Sequence, residues 1–278
     1  MKTEIRKSLS GWPFWLTLLI LCGMTIYSAL FIIHSDLEAS TRIVRKVVDL
    51  ESNPMLSVKS LYSNWIGAEW MTPFSTLFFF VFPLCAAIPY GLSLYQERRS
   101  GYMGQMVLRE TRARYLLNKY VAVFLSGGLV IAVPVVLNIM IIALYFPAHA
   151  PDLNYDIYTT VKAFSFGSKL YYEIPWLYLM IRVAVIFWYG GVAATVSMAV
   201  TFFSRNRFVI LFTPMLFFLL LNYSYTLFQV PYEISPLRFL GSGNVYYVVT
   251  PIVIGEALFL SFLTIAFIGL RGRKKDVL

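Results

Sequence analysis

Six long apolar runs alternate with polar segments along the chain: Trp12 to Ile33, Pro73 to Tyr95, Tyr120 to Phe146, Ile174 to Phe203, Phe208 to Val230 and Val248 to Leu270. A helix rising about 1.5 Å per residue needs roughly 20 residues to cross about 30 Å of hydrocarbon, and all six runs reach that length. Each run is continuous, without the short alternating segments of an outer-membrane barrel, so helices are predicted rather than strands. The expected fold is all-α and integral to a membrane: one domain over residues 1–278 with six transmembrane helices. No repeat or low-complexity tract divides it.

The polar segments add smaller elements. "DLEASTRIVRKVVDLESNP" places Leu37, Ile43, Val44, Val47, Val48 and Leu50 at roughly helical spacing before Pro54, which predicts a short amphipathic helix on the outer side. "LYSNWIGAEWM" then supplies two tryptophans suited to the interface. The segment from Pro147 to Glu173 is polar and rich in Tyr, and "PYEISPLRFLGSG" predicts a short re-entrant or surface helix. The four-residue "SRNR" makes the fourth and fifth spans antiparallel neighbours. The first run is too long for the apolar region of a cleaved signal peptide and is read as a retained span.

Composition agrees with this pattern: 59% of the 278 residues are hydrophobic and 13% charged, against roughly 45–50% and about 25% in a soluble domain. Charge then orients the spans. Met1 to Gly11, Gln96 to Lys119, Ser204 to Arg207 and Arg271 to Leu278 hold 15 of the 23 Lys and Arg but only 4 of the 14 acids, a balance of +11. The remainder balances to −2, giving the overall +9. The positive-inside rule makes the first group cytoplasmic, with both ends of the chain inside. The expected location is the cell (plasma) membrane. Topology accounts for the basic excess, so nucleic acid is not an expected partner. Cys22 and Cys85 form no CxxC or disulfide framework.

Candidate chemistry is sparse. His34 and His149 have no ligand-spaced partners, and HExxH, GxSxG and GxxxxGK[ST] are absent from the sequence. The expectation is a chain that is not an enzyme and carries neither metal nor cofactor. Ionisable groups within spans require a partner or a task. Arg182 and Glu256 are predicted to form a structural ion pair joining the fourth and sixth helices, the alternative being a contact with substrate. Asn138, Asn222, Tyr223, Ser224, Tyr225 and Gln229 thread polar groups through apolar helices. They either hydrogen-bond between helices or line a translocation path. Gly190, Gly191, Ala194, Thr195 and Ser197 would admit a close helix neighbour.

Between the second and third runs lies "YQERRSGYMGQMVLRETRARYLLNKY". Met103, Met106 and Val107 give Glu97 to Leu108 one apolar face, predicting a short helix along the inner surface. A second helical start leads through Arg112 and Arg114 to Lys119. This loop resembles the one between the second and third spans of ATP-binding-cassette exporter permeases of the second type. There an acid, a Ser/Thr-Gly pair, a Leu before a turn and a Lys entering the next helix recur, matched here by Glu97, Ser100 with Gly101, Leu108, Thr111 and Lys119. "RET" departs mildly from the family's Pro- or Ser-bearing turn.

The resemblance implies that the loop, with Arg98, Arg99 and Arg109 included, is a coupling helix docking on an ATPase. It implies partnership with separate nucleotide-binding subunits, which hold the ATP and magnesium, and with a second permease copy or paralogue. The cargo would be apolar or amphiphilic, such as a peptide, antibiotic or lipid. Only about eleven residues precede the first run, and no fused ATPase is present, which argues against the polysaccharide and sterol exporters of that family. The rival readings are a membrane-embedded enzyme and a non-transporting scaffold or sensor.

Overall fold

A computed structural model describes residues 1–46, 59–69, 72–151, 161, 165–228, 232–241 and 248–273. Every regular element among them is a helix. The chain starts with α1 (Lys2–Ser10), turns at Gly11 and enters α2 (Trp12–Lys46). The amphipathic segment expected after the first span is not a separate helix up to Lys46. Contrary to the expectation that His34 lacks a suitably spaced acid, it meets Glu38 one turn on at 3.1 Å, because residues four apart share a helix face, and Lys59 reaches back to Asp36 at 2.6 Å. The remainder of that segment, to residue 58, lies outside the described residues.

After the one-turn α3 (Leu61–Asn64) comes α4 (Pro73–Ala87), 15 residues long. At about 1.5 Å per residue it extends roughly 22 Å, less than the hydrocarbon thickness. The run expected to continue to Tyr95 stops because "IPYG" follows. Pro89 cannot donate a helical hydrogen bond, and Gly91 is packed so closely that a Cβ there would lie 2.5 Å from the Ala87 carbonyl and 2.7 Å from the Ser197 hydroxyl. Among the described residues, five helices are therefore long and apolar enough to cross a membrane: α2, α7 (Arg112–Tyr145), α9 (Pro175–Val200), α10 (Arg207–Phe228) and α12 (Thr250–Arg273). The helix α4 is apolar but shorter.

The polar loop also differs from a single helix. Residues Ser93–Arg99 form α5 and Tyr102–Val107 form α6, with Gly101 between them at φ +74°. That left-handed conformation, natural for glycine, turns the chain where a continuous helix over Glu97 to Leu108 was expected. Two short helices, α8 (Ser168–Glu173) and α11 (Pro236–Phe239), precede α9 and α12 respectively.

Helices α7 and α9 make the central contact, and α2, α4, α10 and α12 pack around them. The approach is close because small residues meet: a Cβ on Gly127 would lie 2.4 Å from the Ala194 methyl and 2.8 Å from the Gly190 carbonyl. Here the small-residue stripe of the fourth run finds its neighbour. The main core gathers Phe78, Phe82, Ile131, Tyr189 and Phe218. A second cluster, Leu94, Met103, Tyr115, Leu116 and Met198, fixes α5 and α6 against α7 and α9. This end, where α7 begins, is the basic end of the bundle.

Candidate functional site: a buried lysine under the polar loop

The ammonium of Lys119 is the centre of the basic end. Its side chain is fully buried two turns into α7, where a bare charge would be very costly. It has three N–H donors and three partners: the carboxylate of Glu97 on α5 at 2.6 Å, that of Glu4 on α1 at 3.1 Å, and the Tyr90 hydroxyl on the "IPYG" turn at 3.1 Å. The remaining acceptor sites are used as well. Tyr90 donates to Glu4 at 2.8 Å, Tyr115 donates to the second oxygen of Glu97, and Lys7 donates to Glu4 at 3.4 Å and to Tyr102 at 3.3 Å. Four separate elements thus meet on one charge.

Of the residues singled out in the sequence, Glu97 and Lys119 are brought together, 22 positions apart. Arg98 turns inward too, donating to the Thr201 carbonyl at 2.9 Å and lying over the Phe202 ring. Arg99, Ser100, Gly101, Leu108, Arg109 and Thr111 are on the outside, and Leu108 is 89% exposed. The loop therefore has a fastened inner side and a bare outer side that mixes cations with one large apolar side chain. Glu4, Tyr90 and Tyr115 were not anticipated. Two signals were available: Glu4 is the one acid among the first eleven residues, and Tyr115 stands four residues before Lys119 on the same helical face.

Within the cluster, burial pushes the Glu4 carboxyl upward. The Lys119 charge and the hydrogen bonds from Tyr90 and Lys119 outweigh that, leaving it below its ordinary value. A depressed carboxylate contributes stability that is fully present above its unfolded value of about 4 and is lost as the pH falls through the lower folded value. Thermal unfolding in detergent should accordingly show the protein's melting temperature falling below about pH 4. Glu4→Gln should remove part of that slope; an identical pH profile would show that Glu4 does not contribute.

At the opposite end Arg182 is 3% exposed. The predicted ion pair with Glu256 does not form. The Arg182 guanidinium donates instead to the carbonyls of Phe239 at 2.6 Å, Leu240 at 3.0 Å, Gly241 at 3.1 Å and Gly67 at 3.1 Å, beside the Trp65 ring. Glu256 faces Tyr189 at 3.3 Å. Tyr189 is seven residues beyond Arg182 on α9, about 10 Å along the axis, so the two charges lie at different depths. Arg182 caps the one-turn α11 and joins it to the 65–68 turn.

Of the polar residues considered for a translocation path, those whose side chains are described have different surroundings. Asn138 is fully buried, donating to the Thr25 carbonyl at 2.9 Å and accepting from the Ile66 N–H at 2.8 Å. Its polar atoms are thus spent on joining α2, α7 and the 65–68 turn. Tyr223 is 62% exposed, and Ser224 bonds back to Leu221 in its own helix. Asn222 is half-buried on α10, and its side-chain oxygen has no hydrogen-bond partner among the described residues. The Tyr225 side chain and Gln229 lie outside the described residues.

No group of three or more potential metal ligands occurs among the described residues. Comparison of the chain with models of known protein families, with curated proteins and with solved structures finds no match in any of the three.

Proposed function

We propose that this helical, membrane-type chain is the permease subunit of an ATP-driven transporter, similar to exporter permeases of the second type. In this reading six segments cross the plasma membrane with both ends inside, α4 being the short one. Separate nucleotide-binding subunits hydrolyse ATP, and a second permease completes the path for an apolar or amphiphilic cargo. The observation that supports it is the two-sided loop. Its inner face is locked to the bundle through Glu97, Lys119 and Arg98, while its outer face presents Leu108 among Arg99, Arg109 and Arg114. A segment so fastened can transmit a push from a soluble partner, and differential contacts at it can bias one state of the bundle over another.

The test is co-purification of the full chain from its native membrane in mild detergent. A phosphate-loop ATPase should accompany it, and Leu108→Asp with Arg109→Glu should release that ATPase while leaving the melting temperature of the permease unchanged, because both side chains point away from the core. Retention of the ATPase by this variant would exclude the loop as the docking element. A preparation with no ATPase would count against the transporter reading altogether.

A further inference from the structure

We infer that the outward face of α1 is a binding surface for anionic phospholipid headgroups. The argument starts from its one acid. Glu4 and Ser8 are the buried residues of α1, and Glu4 is occupied by Lys119, Tyr90 and Lys7. At about 100° per residue, Lys2 and Arg6 each stand about 160° from Glu4, on the far side of the helix and next to one another. Both are exposed, and neither makes an ion pair with a described residue. Lys7, the third cation, is turned to Glu4 and Tyr102. Drawing the carboxylate inward thus leaves an outer face that carries positive charge alone.

The neighbouring residues favour a lipid over a soluble acidic protein. Gly11 turns the chain directly into α2, whose first large exposed apolar side chains are Trp12 (76%) and Trp15 (57%), followed by Leu16 and Leu19. Exposed tryptophans heading a lipid-facing apolar stripe mark the headgroup level of a bilayer. Lys2 and Arg6 lie one short helix away from that level, where cations attract anionic lipids. The inference does not depend on the transporter reading.

Purified full-length protein in detergent should be titrated with phosphatidylglycerol or phosphatidylcholine and the bound lipid read by native mass spectrometry. Phosphatidylglycerol should bind more tightly, and Lys2→Gln with Arg6→Gln should weaken that binding by roughly fivefold for each charge removed. Lys2→Arg with Arg6→Lys should restore it, since the charge is kept. Arg109→Gln with Arg114→Gln removes as much charge from the loop and should leave the tightest site intact. Phosphatidylglycerol carrying brominated chains should quench tryptophan fluorescence more in the native protein than in Trp12→Phe. Equal binding of the two lipids, no change in the Lys2 and Arg6 variant, or an equal loss in the loop variant would overturn the inference.

Discussion

Lys119→Met is expected to destabilise the protein by about 3–5 kcal/mol, the usual cost of removing one partner from a buried ion pair. The reasoning concerns what is left behind. Methionine fills most of the lysine's volume, so packing around Tyr115 and Leu116 is largely kept. Glu4 and Glu97, however, lose the charge that both of them face. Two carboxylates beside the same apolar pocket then repel each other and must take up protons or pull away, and with them go α1 and α5. Thermal unfolding in detergent measures the loss. The triple variant Lys119→Met, Glu4→Gln, Glu97→Gln should recover much of it, because neutral side chains no longer require a counter-ion. A single variant as stable as the native protein would contradict the central place given to Lys119.

Arg182→Met should be comparably severe. Hydrogen bonds to a charged group contribute roughly 1.5–3 kcal/mol each, so even with strong non-additivity the four carbonyls held by Arg182 imply a loss of at least about 3 kcal/mol. Arg182→Lys should restore less than half of it. An ammonium offers three donors at one point, whereas the guanidinium reaches the Phe239 carbonyl through Nη1 and those of Gly67, Leu240 and Gly241 through Nη2, two atoms held apart in one plane. Hydrogen exchange gives the local readout: the Phe239 and Leu240 amides, bonded within the short α11, should lose protection in both variants. Unchanged protection would mean that α11 holds its shape without Arg182.

The long helices were legible in the sequence because their cause is local: an uninterrupted apolar run selects a helix wherever lipid surrounds it. Their ends were less so. Pro83, Pro134 and Pro214 lie inside helices, so the presence of Pro89 did not by itself announce that α4 stops at Ala87. What decides that position is the packing of Gly91 against Ser197 on α9, a contact made across the fold. The turn at Gly101 is similar, since the apolar spacing of Met103, Met106 and Val107 is satisfied by α6 alone. Glu97 and Lys119 could be picked out by type and spacing, whereas their third partner, Glu4, comes from 93 residues earlier than Glu97. Arg182 illustrates the sharpest gap. The sequence shows its charge and suggests an acid to match, but backbone carbonyls can satisfy the same guanidinium, and they have no letter in the sequence.

That last arrangement bears on how freely this part of the chain can change. Arg182 recognises main-chain atoms, which every residue possesses, so its grip on the end of α11 does not read the side chains there, although at Gly67 a Cβ would lie 2.2 Å from the Trp65 ring. Substitutions at Leu240 that respect the local packing leave the clasp whole, whereas removing the charged head of Arg182 opens every contact at once. Sequence drift is thus tolerated at Leu240 but not at Arg182, an asymmetry that a side-chain ion pair, vulnerable at both partners, would not have.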